Sequence, residues 1–290
     1  MASTELETPT APERRLQPSA RSMLFTVLAE FVYRENCPIW TSSLLYLLTG
    51  VGFSEEAARQ AIARGSAAGW MTAERMGRET RWSLSPATRA LFDAGSARVF
   101  AFSEDDRVWD GRWLVLAISV PHARRRARKR LYSALSWAGL GNPAPGLWVT
   151  PHTERAEEIE RVITELELGD SAVTTIGEIG TIGLQAEEIV RRAWDLHGVA
   201  ANYTDLLTHF TALTPEPGDP MLFALIALTD ALRRFPFIDP QLPPELAPDW
   251  IGRQAMVSLQ ELRAAWYEPA HRRWREIIAA SEPSPVAASR

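Results

Sequence analysis

One stretch limits what this chain can become. It is residues 54 to 84, where a short amphipathic helix runs straight into a tight hairpin. Ser54 is an N-cap residue, and Glu55 and Glu56 place negative charge in the first turn, where the helix dipole favours it. At about 100° per residue, Ala58, Ala61, Ile62 and Gly65 fall on one side and form the inner face. Glu56, Arg59, Gln60, Ala63, Arg64 and Ala67 fall on the other. Gly65 in mid-helix weakens it by about 1 kcal/mol relative to Ala, which favours an early end. Gly69 supplies the C-terminal stop. Trp70 and Met71 begin a strand, Met76-Gly77-Arg78-Glu79 makes the turn, and Arg81-Trp82-Ser83-Leu84 returns.

The outer face has the chemistry of a base reader. Arginine pairs bidentately with guanine edges and glutamine with adenine edges in the major groove. Arg59, Gln60 and Arg64 are therefore the candidate base contacts, and Arg75, Arg78 and Arg81 on the hairpin the candidate backbone or minor-groove contacts. Ser42 and Ser54 are expected to cap helices and donate to phosphate. The bland alternative is a solvated helix followed by an ordinary hairpin.

The elements on either side fit a winged helix-turn-helix. Residues 20–34 form a helix with Met23, Leu24, Val27, Leu28 and Phe31 on its apolar side, broken by Asn36, Cys37 and Pro38. Thr41 or Ser42 caps a second helix through Leu48, and Pro86 starts another that ends near Gly95. Farther on, Trp113 to Val120 reads as a buried strand, and 123–138 as a helix that opens with Arg124, Arg125, Arg126, Arg128, Lys129 and Arg130. Gly139 to Gly146 reads as a loop, Leu147 to Thr150 as a strand, Thr153 to Leu166 as a charged helix and Ser171 to Ile179 as a third strand. That order suggests a ferredoxin-like α/β sandwich. After Gln185 only helices are expected, at 185–197, 199–213, 219–235 and 251–280, with a proline-rich loop before the last.

The fold class is thus α+β in three parts. A disordered tail (1–18) precedes the winged helix-turn-helix (19–98), the ferredoxin-like domain (99–183), the helical domain (184–280) and a second disordered tail (281–290).

Composition excludes several functions. Net charge is −5, so no overall basic footprint exists and any nucleic-acid surface must be local. Cys37 is the only cysteine, which rules out an intramolecular disulfide and fits a reducing cytoplasm. The N-terminus has no apolar signal core, and the longest apolar run, Met221 to Leu228, is too short to span a bilayer. That run is core or dimer seam before it is a ligand box. None of the five histidines sits at zinc spacing from a cysteine or another histidine; His152 with Glu154 or Glu157 is more simply surface polarity. No nucleophile or phosphate-loop motif occurs. A ferredoxin-like nuclease would carry a carboxylate at the end of its first strand, where this chain reads Ser119-Val120-Pro121. No cofactor, metal or catalytic residue is expected.

Three further segments carry a resemblance: Trp109-Asp110-Gly111-Arg112-Trp113, Pro145-Gly146-Leu147-Trp148-Val149 with Pro151, and FPFIDPQLPPELAPDWIG. With Arg59, Arg64, Gly69 and Trp70 in the N-terminal pattern, the chain resembles the PaaX family of transcriptional repressors over roughly residues 20 to 280. The resemblance implies a homodimer that binds double-stranded operator DNA and is released by a small acidic metabolite, an aryl- or acyl-coenzyme A in the typical member. The Arg124–Arg130 run keeps three readings: a solvated face, a DNA-backbone contact, or an effector site in which Arg124, Arg125, Arg128 and Lys129 hold coenzyme A phosphates. The rival class is an effector-binding protein or enzyme that uses the winged helix only to dimerise.

Overall fold

A computed structural model describes residues 19–77, 79–100 and 108–281. Both expected tails, apart from Ser281, lie outside the described residues, as does Arg78. Helices dominate, joined to two small antiparallel sheets.

The N-terminal part begins with α1 (Ala20–Val27), capped by Ser19, whose side chain accepts from the Ser22 N–H. A π-helical segment, Leu28–Tyr33, continues it and buries Glu30 beside Phe31 and Val32. Strand β1 (Ile39–Trp40), α2 (Thr41–Gly50), α3 (Glu55–Ala67), the hairpin β2 (Met71–Met76) and β3 (Glu79–Leu84), and α4 (Pro86–Phe100) follow. The sheet order is β1-β3-β2. Two sequence expectations change here. Helix α2 starts at Thr41, so neither Thr41 nor Ser42 caps it; the cap position is Trp40, with no side-chain bond. The Thr41 hydroxyl instead donates to the Thr80 carbonyl and accepts from the Trp82 indole, tying α2 to β3. Helix α4 passes through Gly95 to Phe100 rather than stopping.

The central part carries β4 (Trp113–Ile118), α5 (Arg125–Trp137), β5 (Gly141–Ala144), β6 (Leu147–Thr150), α6 (Ala156–Glu165) and β7 (Ala172–Gly177). Its sheet order is β5-β6-β4-β7, antiparallel throughout. Strand β5 lies within the segment expected to be a loop. Gly141-Asn142-Pro143-Ala144 has poor strand propensity, and pairing with β6 across the Pro145-Gly146 turn imposes the conformation. Leu131 and Leu135 of α5 and Ile159 and Ile163 of α6 bury one sheet face. Trp113 and Val149 on the other face pack against Ile189, Val190 and Leu242.

Helices α7 (Ala186–Ala193), α8 (Leu196–Thr211), α9 (Asp219–Leu232) and α10 (Ile251–Ser281) complete the chain. The Met221–Leu228 run is core: Leu222, Leu225, Ile226 and Leu228 are fully buried. They belong to a single core that also takes Leu24, Leu28, Phe31, Leu44 and Leu48 from the N-terminal part. Head and C-terminal helices therefore share one interior. At Gly50 a Cβ would come within about 2.0 Å of the Phe223 ring, so α2 and α9 approach as closely as glycine allows. No helix of the described residues is long and apolar enough to cross a membrane.

Candidate nucleic-acid interface

Helix α3 divides as its periodicity requires. Ala58, Ala61, Ile62 and Gly65 are buried, and Glu56, Arg59, Gln60, Ala63, Arg64 and Ala67 are exposed. The Ser54 hydroxyl oxygen accepts the Ala57 N–H at 3.2 Å and caps the helix. Gly65 does not end it. A Cβ there would lie 2.9 Å from a Leu24 methyl and 3.3 Å from the Trp70 ring, so glycine lets α3 press against α1. The stop comes at Gly69, with φ +75°, where the Trp70 N–H reaches the Gly65 carbonyl at 3.0 Å. Trp70 is clamped between Phe25, 5.1 Å away, and the Arg21 guanidinium, 4.7 Å over its ring.

The outer face of α3 is polar and internally paired. Arg59 donates twice to Glu55, at 2.9 and 2.6 Å. Gln60 donates to Glu56 and Arg64 to Gln60, both at 3.5 Å. These links hold the side chains in water without burying them. Ser42 is exposed on the first turn of α2.

The hairpin separates its arginines. Met76 pairs with Glu79, which leaves a two-residue turn whose Gly77 has φ +65°. Glu74 lies opposite Arg81, and Arg75 opposite Thr80. Side chains alternate along a strand, so Arg75 and Arg81 point to opposite faces. Arg81 grips Glu74 at 2.6 Å and lies 5.8 Å over the Trp40 ring. Among the described residues, Arg75 has only a long bond to the Gly77 carbonyl, at 3.5 Å.

The central basic run also separates. Arg124 donates to the Glu167 and Leu166 carbonyls, each at 2.8 Å, and so closes the C-terminal end of α6. Arg125, Arg126, Lys129 and Arg130 are exposed, and Arg128 is half-buried. His152 is buried and structural, not the surface residue that its sequence context suggests. Its Nε2 meets the Pro240 carbonyl at 2.9 Å and its Nδ1 faces Glu154 at 3.6 Å. The His152 imidazole beside it, against some desolvation, draws the Glu154 carboxyl down to about 2. Among the described residues, no group of three or more His, Cys, Asp or Glu could hold a metal ion.

Two buried arrangements had no local sequence signal. Glu30, on the apolar side of the first helix, takes Arg263 at 2.7 and 2.5 Å and His271 at 3.0 Å. Glu35 takes the other imidazole nitrogen at 2.8 Å. Burial pushes the Glu30 carboxyl up, but His271, Arg263 and Arg34 together hold it below the usual range. The second explains much of the FPFIDPQLPPELAPDWIG segment. Asp239 accepts from the Tyr203 hydroxyl at 2.8 Å, the Trp250 indole at 3.0 Å and the Gln241 N–H at 2.7 Å. Burial raises its carboxyl. A Cβ on Gly252 would meet both Trp250 and Asp239 within 2.7 Å.

A cleft of about 510 Å³ opens where α7 meets α8, walled by Val190, Ala193, Trp194 and Leu196, with Arg191 and His197 at its polar side.

Residues 19–88 match the family model described as PaaX-like protein. Residues 106–189 match the PaaX protein central Cas2-like domain, and 194–276 the PaaX-like protein C-terminal domain. Transcriptional repressor PaaX of Escherichia coli (strain K12) is 27% identical over 250 residues, covering 82% of this chain and 77% of that protein. Uncharacterized protein Rv0674 from Mycobacterium tuberculosis superposes with a TM-score of 0.58, over 88% of this chain and 99% of that one. At 21% identity that likeness concerns the fold alone.

Proposed function

Because this chain belongs to the PaaX family, matched by its models along three successive segments, we propose that it is a transcriptional repressor and not an enzyme. The N-terminal part is read as a winged helix-turn-helix, with α3 as recognition helix and β2–β3 as wing, and the central part as a ferredoxin-like domain. The observation that carries the reading is the outer face of α3. Arg59, Gln60 and Arg64 stand exposed on a helix held rigidly from behind and continuous with a hairpin that carries Arg75, Arg78 and Arg81. In this reading α3 enters the major groove and the hairpin meets the backbone.

Two copies would present two heads to an inverted repeat. Strand β7 supports self-pairing. It is an edge of the central sheet, with Val173 69% and Ile176 43% exposed, and an uncovered β-branched edge invites a second strand. The effector is a small acidic metabolite, an acyl-coenzyme A thioester by family resemblance. The cleft beside Trp194 has an apolar wall that suits its acyl end, with Glu187 and Asp195 as well as Arg191 and Arg192 on its polar side. Such a ligand releases DNA only if it prefers the non-binding arrangement of the dimer.

The test is selection. The full chain is incubated with a random duplex pool, and bound sequences are enriched and titrated with thioesters. An enriched inverted repeat that is released by one thioester supports the reading. A chain that dimerises but enriches no sequence would be an effector-binding protein or enzyme that uses its head only to pair. A monomer by sedimentation, alone and on the enriched DNA, would remove the dimer.

A further inference from the structure

We propose that the outer face of α5 is a second DNA surface, which grips duplex phosphates beyond the bases that α3 reads. The inference rests on the DNA-binding reading above and assigns it a further site. Leu131 and Leu135 fix the orientation of α5, since both are buried in the central core. At 3.6 residues per turn, Arg125, Arg126, Lys129 and Arg130 lie on the side away from them, and all four are exposed.

These cations form a cluster on one helix face. Several exposed arginines elsewhere find carboxylates: Arg112 takes Asp110, Arg191 and Arg192 share Glu188, and Arg275 reaches Glu268. Among the described residues, no carboxylate pairs with Arg125, Arg126, Arg128, Lys129 or Arg130. The four also crowd the first two turns of a helix, where the dipole opposes positive charge. A chain with net charge −5 keeps an uncompensated positive face here. A polyanion would relieve both the mutual repulsion and the dipole, and guanidinium forks match phosphate oxygens.

Shape selects the polyanion. Small-molecule sites are concave and need an apolar wall. The α5 face is the exposed outer side of a helix, and the cleft beside Trp194 includes none of its cations. Arg124 is already bonded to the end of α6, and Arg128 is half-buried. From Arg125 to Arg130 the face extends roughly 7.5 Å along the helix axis, at 1.5 Å per residue. Phosphates recur about every 3.4 Å of axis on each duplex strand, so the face can neutralise several at once.

The test uses the full chain with Arg125, Arg126, Lys129 and Arg130 all changed to Ala, and a second variant with the three arginines changed to Lys. Binding is measured against salt concentration on a random-sequence duplex and on one enriched by the wild type. The alanine variant should lose affinity equally on both, with the slope of log K against log salt reduced by about three to four units. The lysine variant should keep the wild-type slope. The changed side chains are exposed, so an unchanged melting temperature confirms intact folding. An alanine variant with wild-type affinity and slope on both duplexes overturns the inference. So does one that keeps the slope but loses binding of free coenzyme A, which would give the face to a small ligand. Failure of the repressor reading looks different. The wild type would then enrich no sequence, yet α5 would still set the slope on random DNA.

Discussion

The seam between head and C-terminal helices and the outer face of α3 are built from the same chemistry and behave oppositely. Each pairs arginine with glutamate at hydrogen-bonding distance. At the seam, Glu30 is 2% exposed and is held by Arg263 and His271, with Tyr267 stacked 4.1 Å from the imidazole. On α3, the Arg59 and Glu55 side chains are 60% and 63% exposed at a similar N···O distance of 2.6 Å. Burial makes the difference. A buried charge that loses its partner has no water to replace it, whereas an exposed pair is worth a few tenths of a kcal/mol and exchanges freely. The seam can fix where the head sits. The α3 face can trade a glutamate for a base or phosphate at almost no cost.

Breaking the seam should give the largest effect. Glu30→Ala strands His271 and Arg263 in the interior and is expected to cost about 3–5 kcal/mol in chemical denaturation. A loss below about 1 kcal/mol would mean that the seam is no stronger than a surface pair. The acid limb gives a second reading of the same contact. The folded-state pKa of Glu30 is lowered, so its contribution is present above its unfolded value and is lost as pH falls through the lowered one. Asp239, raised by burial, has the opposite sign: its contribution is full in acid and fades as pH rises through the raised value. Glu30→Gln should therefore flatten the acid loss of stability, and Asp239→Asn should not.

Arg59→Ala probes the other half of the comparison. It should leave stability within about 0.5 kcal/mol while costing about 1–3 kcal/mol on the enriched duplex and relaxing specificity at one base pair. Equal losses on enriched and random DNA would make Arg59 a phosphate contact.

These two regions also differ in how far the sequence foretells them. The α3 face is a local property: a 100° step from Ala58 puts Ala58, Ala61, Ile62 and Gly65 inside and Glu56, Arg59, Gln60, Ala63, Arg64 and Ala67 outside, as the structure has them. The two-residue turn at Gly77 and the four C-terminal helices are local in the same way. The seam is not local. Glu30 meets Arg263 and His271 from more than two hundred residues away, and periodicity does not say which apolar faces meet. For the same reason a division near residue 98 suggests an independent head, where the core joins Leu24 and Leu28 to Leu225 and Trp274. Gly65 reads as a weak point in isolation, because its neighbours Leu24 and Trp70 supply the reason for it. Strand β5 and the helix start at Thr41 are settled by pairing with β6 and β3, against their own propensity or capping chemistry.

The hairpin sharpens the comparison at a smaller scale. Arg75 is exposed with one long backbone bond, and Arg81 is held by Glu74 and Trp40. If exposure sets availability, Arg75→Ala should lower the salt slope of DNA binding by about one unit. Arg81→Ala should lower it by less, because its charge is already shared. Equal reductions would mean that DNA strips Glu74 from Arg81 as readily as it takes Arg75.

The smallest effect is the most direct check on exchange. Glu55→Gln removes the acid that occupies Arg59 in the free protein. Helix α3 loses an i,i+4 pair and a favourable charge in its first turn, together a few tenths of a kcal/mol of stability. DNA binding should move the other way. Arg59 no longer gives up a partner, and one carboxylate that would face phosphate is gone. Affinity for the enriched duplex should rise by about two-fold, the equivalent of a few tenths of a kcal/mol. The gain should be largest at low salt, where exposed charges are least screened. If affinity falls instead, Glu55 does more than hold Arg59 in reserve. It would be orienting the guanidinium for its base, and the exposed pairs of α3 would then be held to one geometry as firmly as the buried pairs at the seam.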